Sequence, residues 1–150
     1  MRVKGFPRKL FSRGGKRNKH GVYVYSENFG AKRPGDKGGL VMIALACDHT
    51  GIELKQEIMK LLDSMGLEWK DFGVNEAVSC DYPIYGYRAA KAVASGECDR
   101  GILICGTGIG IGIAASKVKG VRVCTCSDVY SAELSKRHNN SNLLTMGARS

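Results

Sequence analysis

"GILICGTGIGIGIAAS", residues 101–116, decides how the chain is to be read. Residues 101–105 are a short apolar run, the kind expected of a strand buried on both faces. Glycines then recur at 106, 108, 110 and 112, and the segment ends in helix-forming alanines. A strand that turns through glycines straight into a helix is half of a βαβ unit. The glycines can serve close packing of helix on strand, a nucleotide cradle, or a catalytic loop beside Cys105.

Outward from this stretch the same alternation continues. "MIALAC" (42–47) reads as a first strand, followed by a helix with apolar Leu54, Ile58, Leu61, Leu62 and Met65 on one face. Thr50 is the expected cap of that helix and Gly66 its stop. "LEWKDFG" (67–73) is a second strand and turn, and "DYPIYGYRAAKAVASGE" (81–97) a loop into an alanine-rich helix ended by Gly96. After the third strand come a helix over 112–120, a fourth strand in "VRVCTC" (121–126), a helix with Ser127 as N-cap, and a fifth strand in "NLLTMG" (142–147). Five strands alternating with helices predict a doubly wound, Rossmann-like α/β fold with a parallel sheet covered on both faces.

The bulk numbers agree with one globular domain: 150 residues, 43% hydrophobic and 25% charged. The net charge of +9 is not spread evenly. Residues 1–40 hold 11 of the 23 Lys and Arg but only two of the 14 acidic residues, so the remainder is neutral. Residues 1–41 are expected to be a basic, mostly disordered leader, with 42–150 as the domain. Val22-Tyr23-Val24-Tyr25 alternates like a short strand but has no evident partner. The leader lacks the serine-rich amphipathic pattern of a transit peptide. "KGGLVM" before the first strand reads like a translated purine-rich ribosome-binding site, so Met42 is the expected natural start.

Six cysteines form no CxxC pair, and no histidine stands at zinc spacing from them. They are expected to be reduced thiols of a cytoplasmic protein, with no signal peptide and no membrane-spanning run.

In a doubly wound sheet ligands bind beyond the carboxyl ends of the strands, where strand order reverses. That rule selects Asp48 and His49 after the first strand, Asp81 and Tyr82 after the second, and Cys105 with Gly106, Thr107, Gly108 and Gly110 after the third. The dinucleotide fingerprint fails because Ile111 stands where its third glycine belongs, and no Gly-Lys-Ser/Thr exists for a Walker loop. The better expectation is a turn whose N–H groups point at an anion, aided by the helix N-terminus. The same helix end lowers the pKa of a thiol such as Cys105 from about 8.5 toward neutrality. A base beside an oxyanion hole suits proton abstraction next to a carbonyl. His138 ends the fourth helix on the opposite rim, so a catalytic role for it requires a second subunit.

"ALACDHTGIELKQEI", "DYPIYG", "GECDRGILICGTGIGI", "AASKVKGVR" and "RHNNSNLLTMGAR" resemble the type B ribose-5-phosphate isomerases, within the sugar-phosphate isomerase family that includes galactose-6-phosphate isomerase subunits. The resemblance runs from Met42 to Arg149. It implies an aldose–ketose isomerase of the pentose phosphate pathway that works through an enediolate without metal or other cofactor. Cys105 then shuttles the proton between C1 and C2, and Thr107 and His138 assist ring opening. Gly106, Gly108 and Gly110 hold the enediolate. Asp48, Tyr82 and Asn139 contact the sugar, and His49 and Arg149 the phosphate, Arg149 from across a homodimer. The partners implied are a phosphorylated sugar and a second or further copies of the chain, dimer or tetramer.

His138-Asn139 favours ribose 5-phosphate over galactose 6-phosphate, with allose 6-phosphate left open. Gly112 stands where the family usually has serine. The family also continues past the fifth strand with a helix and a basic tail, so Ser150 marks an apparent C-terminal truncation and an inactive fragment is a competing expectation. Other rivals are a nucleic-acid-binding remnant with a basic arm, a nicotinamide oxidoreductase, and a thiol enzyme with Cys105 as nucleophile.

Overall fold

The computed structural model describes residues 15–17, 23–25 and 41–150. Strands β1 (Gly15–Arg17) and β2 (Tyr23–Tyr25) pair antiparallel, with Lys16 opposite Val24. The alternating tyrosine segment therefore has a partner, supplied by a segment of glycine and basic residues that carries no strand pattern of its own. The rest of the expected leader lies outside the described residues.

From Val41 the chain alternates: β3 (Met42–Cys47), α1 (Ile52–Ser64), β4 (Glu68–Asp71), α2 (Tyr82–Ser95), β5 (Arg100–Cys105), α3 (Ile109–Ser116), β6 (Val123–Thr125), α4 (Val129–Asn139) and β7 (Leu143–Gly147). The five later strands form one sheet in the order β4-β3-β5-β7-β6, with every neighbouring pair parallel. After β4 the chain crosses back over β3, so the order reverses between β3 and β5. Their carboxyl ends, at Cys47 and Cys105, open the expected crevice.

Strand alternation divides the core into two layers. Ile43, Leu45, Ile102, Ile104 and Leu144 face Ile58 and Leu62 of α1 and Ala132 of α4. Ala44, Ala46, Leu103 and Cys105 face Ala89, Ala90, Ala92 and Val93 of α2 and Ile111 and Ala115 of α3. Alanine against alanine lets the second layer pack close. At Gly86 a Cβ would stand 2.7 Å from Ile111 Cγ1, so α2 and α3 touch where no side chain fits.

Three local expectations are corrected. Helix α1 is preceded by Gly51 rather than capped by Thr50, whose hydroxyl instead donates to Asp48 Oδ1 at 2.6 Å. Helix α4 is capped by Asp128, not Ser127: its carboxylate accepts from the N–H of Ser131 at 2.7 Å. Helix α3 begins at Ile109, three residues before the glycines were expected to release it. Gly110 and Gly112 are helical here because each occupies a place without room for a side chain. A Cβ at 110 would meet Tyr82 Cζ at 2.6 Å, and one at 112 would meet Thr145 Oγ1 at 2.9 Å. Tertiary crowding outweighs a propensity cost of about 1 kcal/mol per glycine.

Candidate active site

The centre of the crevice is Cys105, the last residue of β5, 4% exposed on the α2/α3 face of the sheet. The chain turns through Gly106 and Thr107 and enters α3 from Gly108, whose φ of +78° lies in the left-handed region. That turn carries the Gly108 N–H back onto Cys105 Sγ at 3.2 Å. Only glycine suits this position, since a Cβ there would also lie 2.6 Å from the carbonyl carbon of Met146. Gly108→Ala is accordingly expected to destabilise the fold by about 2 kcal/mol, from the left-handed backbone alone and before any relief of the clash. A shift of the urea midpoint at unchanged m-value measures it.

The loop's N–H groups are not all free for an anion, as the sequence had suggested. Gly108 donates to the cysteine sulfur and Ile109 donates to Thr107 Oγ1 at 3.3 Å. A turn this tight satisfies its own donors first. The donors not consumed within the loop are those of Gly106, Thr107 and Gly110. Thr107 is exposed, and because its oxygen accepts from Ile109 its hydroxyl proton remains available to a ligand.

Asp48 and His49 follow β3 directly. The Asp48 N–H donates to Ile104 O at 3.2 Å, pinning the two central strands together at their ends. Asp48 is 4% exposed, and its carboxylate accepts from both the N–H and the hydroxyl of Thr50, at 2.9 and 2.6 Å. Thr50 in turn lies 3.9 Å from the position of a Cβ on Gly106, so this pair walls one side of the loop. His49 is half-buried, and its Nδ1 accepts the Cys80 N–H at 3.3 Å. A neutral ring held this way carries its proton on Nε2 and offers a donor on its other side.

Tyr82, the first residue of α2 and 39% exposed, lays the far end of its ring over Gly110. Arg149 lies beside the loop of its own chain. Because β7 runs parallel beside β5, the N–H groups of Ala148 and Arg149 donate to Cys105 O and Gly106 O at 2.8 and 3.0 Å. Arg149 Cδ then stands 4.0 Å from a Cβ on Gly106. His138 and Asn139 are not brought here. They end α4, beside the start of β7, where Asn142 O accepts the Gly101 N–H at the opposite rim of the sheet. From Gly101 to Cys105 the strand runs about 13 Å, at roughly 3.3 Å per residue.

Supporting groups appear that the sequence reading did not single out. Lys55 is fully buried, and its ammonium donates to Asp71 Oδ2, Val74 O and Asn75 Oδ1 at 2.6, 2.8 and 2.8 Å. It fastens the turn after β4 against the end of β3, where a Cβ at Gly73 would lie 2.4 Å from the Cys47 nitrogen. The signal was present: Lys55 precedes Ile58 by three and Leu62 by seven, on the apolar face of α1. Burial pushes three other thiols up, Cys47 and Cys98 to about 11 and Cys126 to about 12. No helix among the described residues is long and apolar enough to cross a membrane.

The family described as Ribose/Galactose Isomerase matches residues 43–150. Ribose-5-phosphate isomerase B of Escherichia coli is 51% identical over 107 residues, spanning 71% of this chain and 72% of that protein. A galactose-6-phosphate isomerase subunit, LacB of Clostridium acetobutylicum, is 41% identical over 73% of this chain and 63% of its own length. The solved structure of Clostridium thermocellum ribose-5-phosphate isomerase B superposes with a TM-score of 0.72 at 50% identity, covering 73% of this chain and 74% of that one. With nearly all of the parallel sheet and its cysteine loop inside the matched segment, the chain belongs to the ribose/galactose isomerase family.

Proposed function

We propose that this chain is an aldose–ketose isomerase that interconverts ribose 5-phosphate and ribulose 5-phosphate through an enediolate. The observation that carries the reading is Cys105 at the strand-order reversal, its sulfur held by the Gly108 N–H inside a glycine turn. In the open-chain aldose the Cys105 sulfur takes the proton from C2, and the C–H electron pair becomes the C1–C2 double bond. Negative charge collects on O1, facing the N–H groups of Gly106, Thr107 and Gly110. The same thiol returns its proton to C1 while the O2 proton passes to O1, leaving a ketone at C2. Asp48 and Tyr82 hold the sugar hydroxyls, and His49 and Arg149 hold the phosphate. Identities of 51% and 50% to ribose-5-phosphate isomerases, against 41% to the galactose-6-phosphate subunit, favour the pentose.

Ring opening is assigned to Thr107 together with the partner subunit's His138, and Asn139 accompanies it. His138 cannot reach its own Cys105 across the sheet, so the site is shared in a homodimer. Exposed apolar residues on the packed pair α2 and α3, Ile84, Tyr87, Ile109 and Ile113, at 47, 48, 56 and 56% exposure, are the surface such a partner would cover. Six free thiols fit a reducing cytoplasm.

Mixing two inactive variants tests the shared site. Cys105→Ala and His138→Ala are each expected to lose about 10²-fold or more in turnover. After random reassociation, half the dimers carry one competent site of two, restoring about a quarter of wild-type activity. Activity no higher than the mean of the two variants would place His138 outside the site.

A further inference from the structure

Cys124 and Cys126 lie outside the site just described. They sit two residues apart on and just after β6, the edge strand, so both side chains leave the same face of the sheet. Both pack into the layer formed with α1 and α4, against Leu144 and Ala132. Their sulfurs approach to 3.3 Å. The sulfurs also differ in access: Cys124 is half-buried, whereas Cys126 is 9% exposed.

We infer that Cys124 and Cys126 are a redox-modification site, a dithiol that peroxides convert reversibly into an intrachain disulfide. The more accessible Cys124 sulfur attacks one peroxide oxygen. The O–O bond breaks, a water leaves, and Cys124 becomes a sulfenic acid. The Cys126 sulfur then attacks the Cys124 sulfur, the S–O bond breaks, and the Cys126 proton leaves with the hydroxyl as a second water. Two thiols are oxidised by two electrons and one peroxide is reduced to two waters. Cys126 takes the second role because its sulfur already lies 3.3 Å from that of Cys124, while its own burial keeps it from meeting peroxide first.

Strand geometry predicts the bond's character. Two residues of extended chain separate the Cα atoms by about 6.6 Å, near the upper end of the range disulfides span. The bond is therefore formable but stretched, and easily reduced again. Closing it draws Cys124 and Cys126 together and pushes Thr125 outward. That strains the 2.7 Å hydroxyl contact between Thr125 and Thr145 and the Cys126 N–H bond to Thr145 O at 3.0 Å.

Trypsin isolates the pair, since cleavage after Arg122 and Lys136 gives a peptide, 123–136, with no other cysteine. The full-length reduced chain is treated with a few equivalents of hydrogen peroxide, alkylated under denaturing conditions and digested. The expected product is this peptide two hydrogens lighter and unalkylated, recovered as the doubly alkylated form after dithiothreitol. Cys126→Ser is expected to leave Cys124 as a sulfenic acid trappable by dimedone, and amide exchange at Cys126 is expected to quicken in the oxidised wild type. Doubly alkylated peptide under conditions that oxidise Cys80 or Cys105 would overturn the inference. So would disulfide-linked chains joined through Cys124, or Cys124 sulfinic acid in place of the loop.

Discussion

Cys105→Ala is expected to lower turnover of ribose 5-phosphate by about 10⁴-fold while leaving binding of the sugar phosphate within a few-fold of wild type. The upper end of the usual range for a general acid–base group applies because, in the proposed mechanism, one sulfur performs both transfers, from C2 and to C1. Nothing else at the loop can substitute. Thr107 has a hydroxyl proton to give but no basic atom to receive one, and Asp48 is occupied by two hydrogen bonds from Thr50. Binding is expected to survive because the phosphate and hydroxyl contacts are assigned in the proposal to other residues. Steady-state assay with calorimetric titration separates the two effects, and a large loss of binding would mean that the sulfur holds substrate instead of moving a proton. Cys105→Ser distinguishes the remaining rival. A proton shuttle leaves no covalent adduct to trap on the wild-type thiol, whereas a nucleophilic cysteine yields one.

Lys55→Met is expected to destabilise the fold by about 3 kcal/mol. The methionine keeps the length of the side chain, so the change tests the charge and not the volume. What it removes is an ammonium with three oxygen partners, Asp71, Val74 and Asn75, and what it leaves is a carboxylate only 17% exposed without its cation. Removing one member of a buried pair costs about 3–5 kcal/mol, and the partial exposure of Asp71 sets the lower figure. For a domain of this size the melting temperature should fall on the order of 15 °C. Loss of only a few degrees would show that the turn after β4 is held by its backbone contacts with β3 and not by the lysine.

The sheet was legible because β3, β5 and β7 are short, largely buried apolar runs that need no finer pattern, while the edge strand β4, Glu-Trp-Lys-Asp, follows from its place between two helices. The helix ends were less so. Thr50, Asp128 and Ser127 all suit an N-cap, but the Thr50 hydroxyl is taken by Asp48 before α1, and before α4 it is the Asp128 carboxylate that reaches the Ser131 N–H. The early start of α3 could not be read from Gly110 and Gly112, since the crowding that makes them helical comes from Tyr82 and Thr145, distant in sequence. Cys105, Asp48, His49 and Tyr82 were found by one topological rule, that ligands bind where strand order reverses. Arg149 illustrates its reach. β7 lies beside β5, so the residues that follow it, Ala148 and Arg149, arrive at the loop of their own chain, a consequence of strand order that sequence order conceals. His138 obeyed the same geometry in the opposite sense, ending α4 at the far rim.

Conversion of ribose 5-phosphate by the purified wild-type chain in heavy water, with oligomeric state recorded alongside, tests the central claim most directly. The enediolate account predicts ribulose 5-phosphate formed by a dimer and abolished by Cys105→Ala, with solvent deuterium at C1 in the fraction of turnovers in which the thiol proton exchanges before its return. A folded dimer that makes no ketose, or a Cys105→Ala variant that still makes it at the wild-type rate, would contradict it.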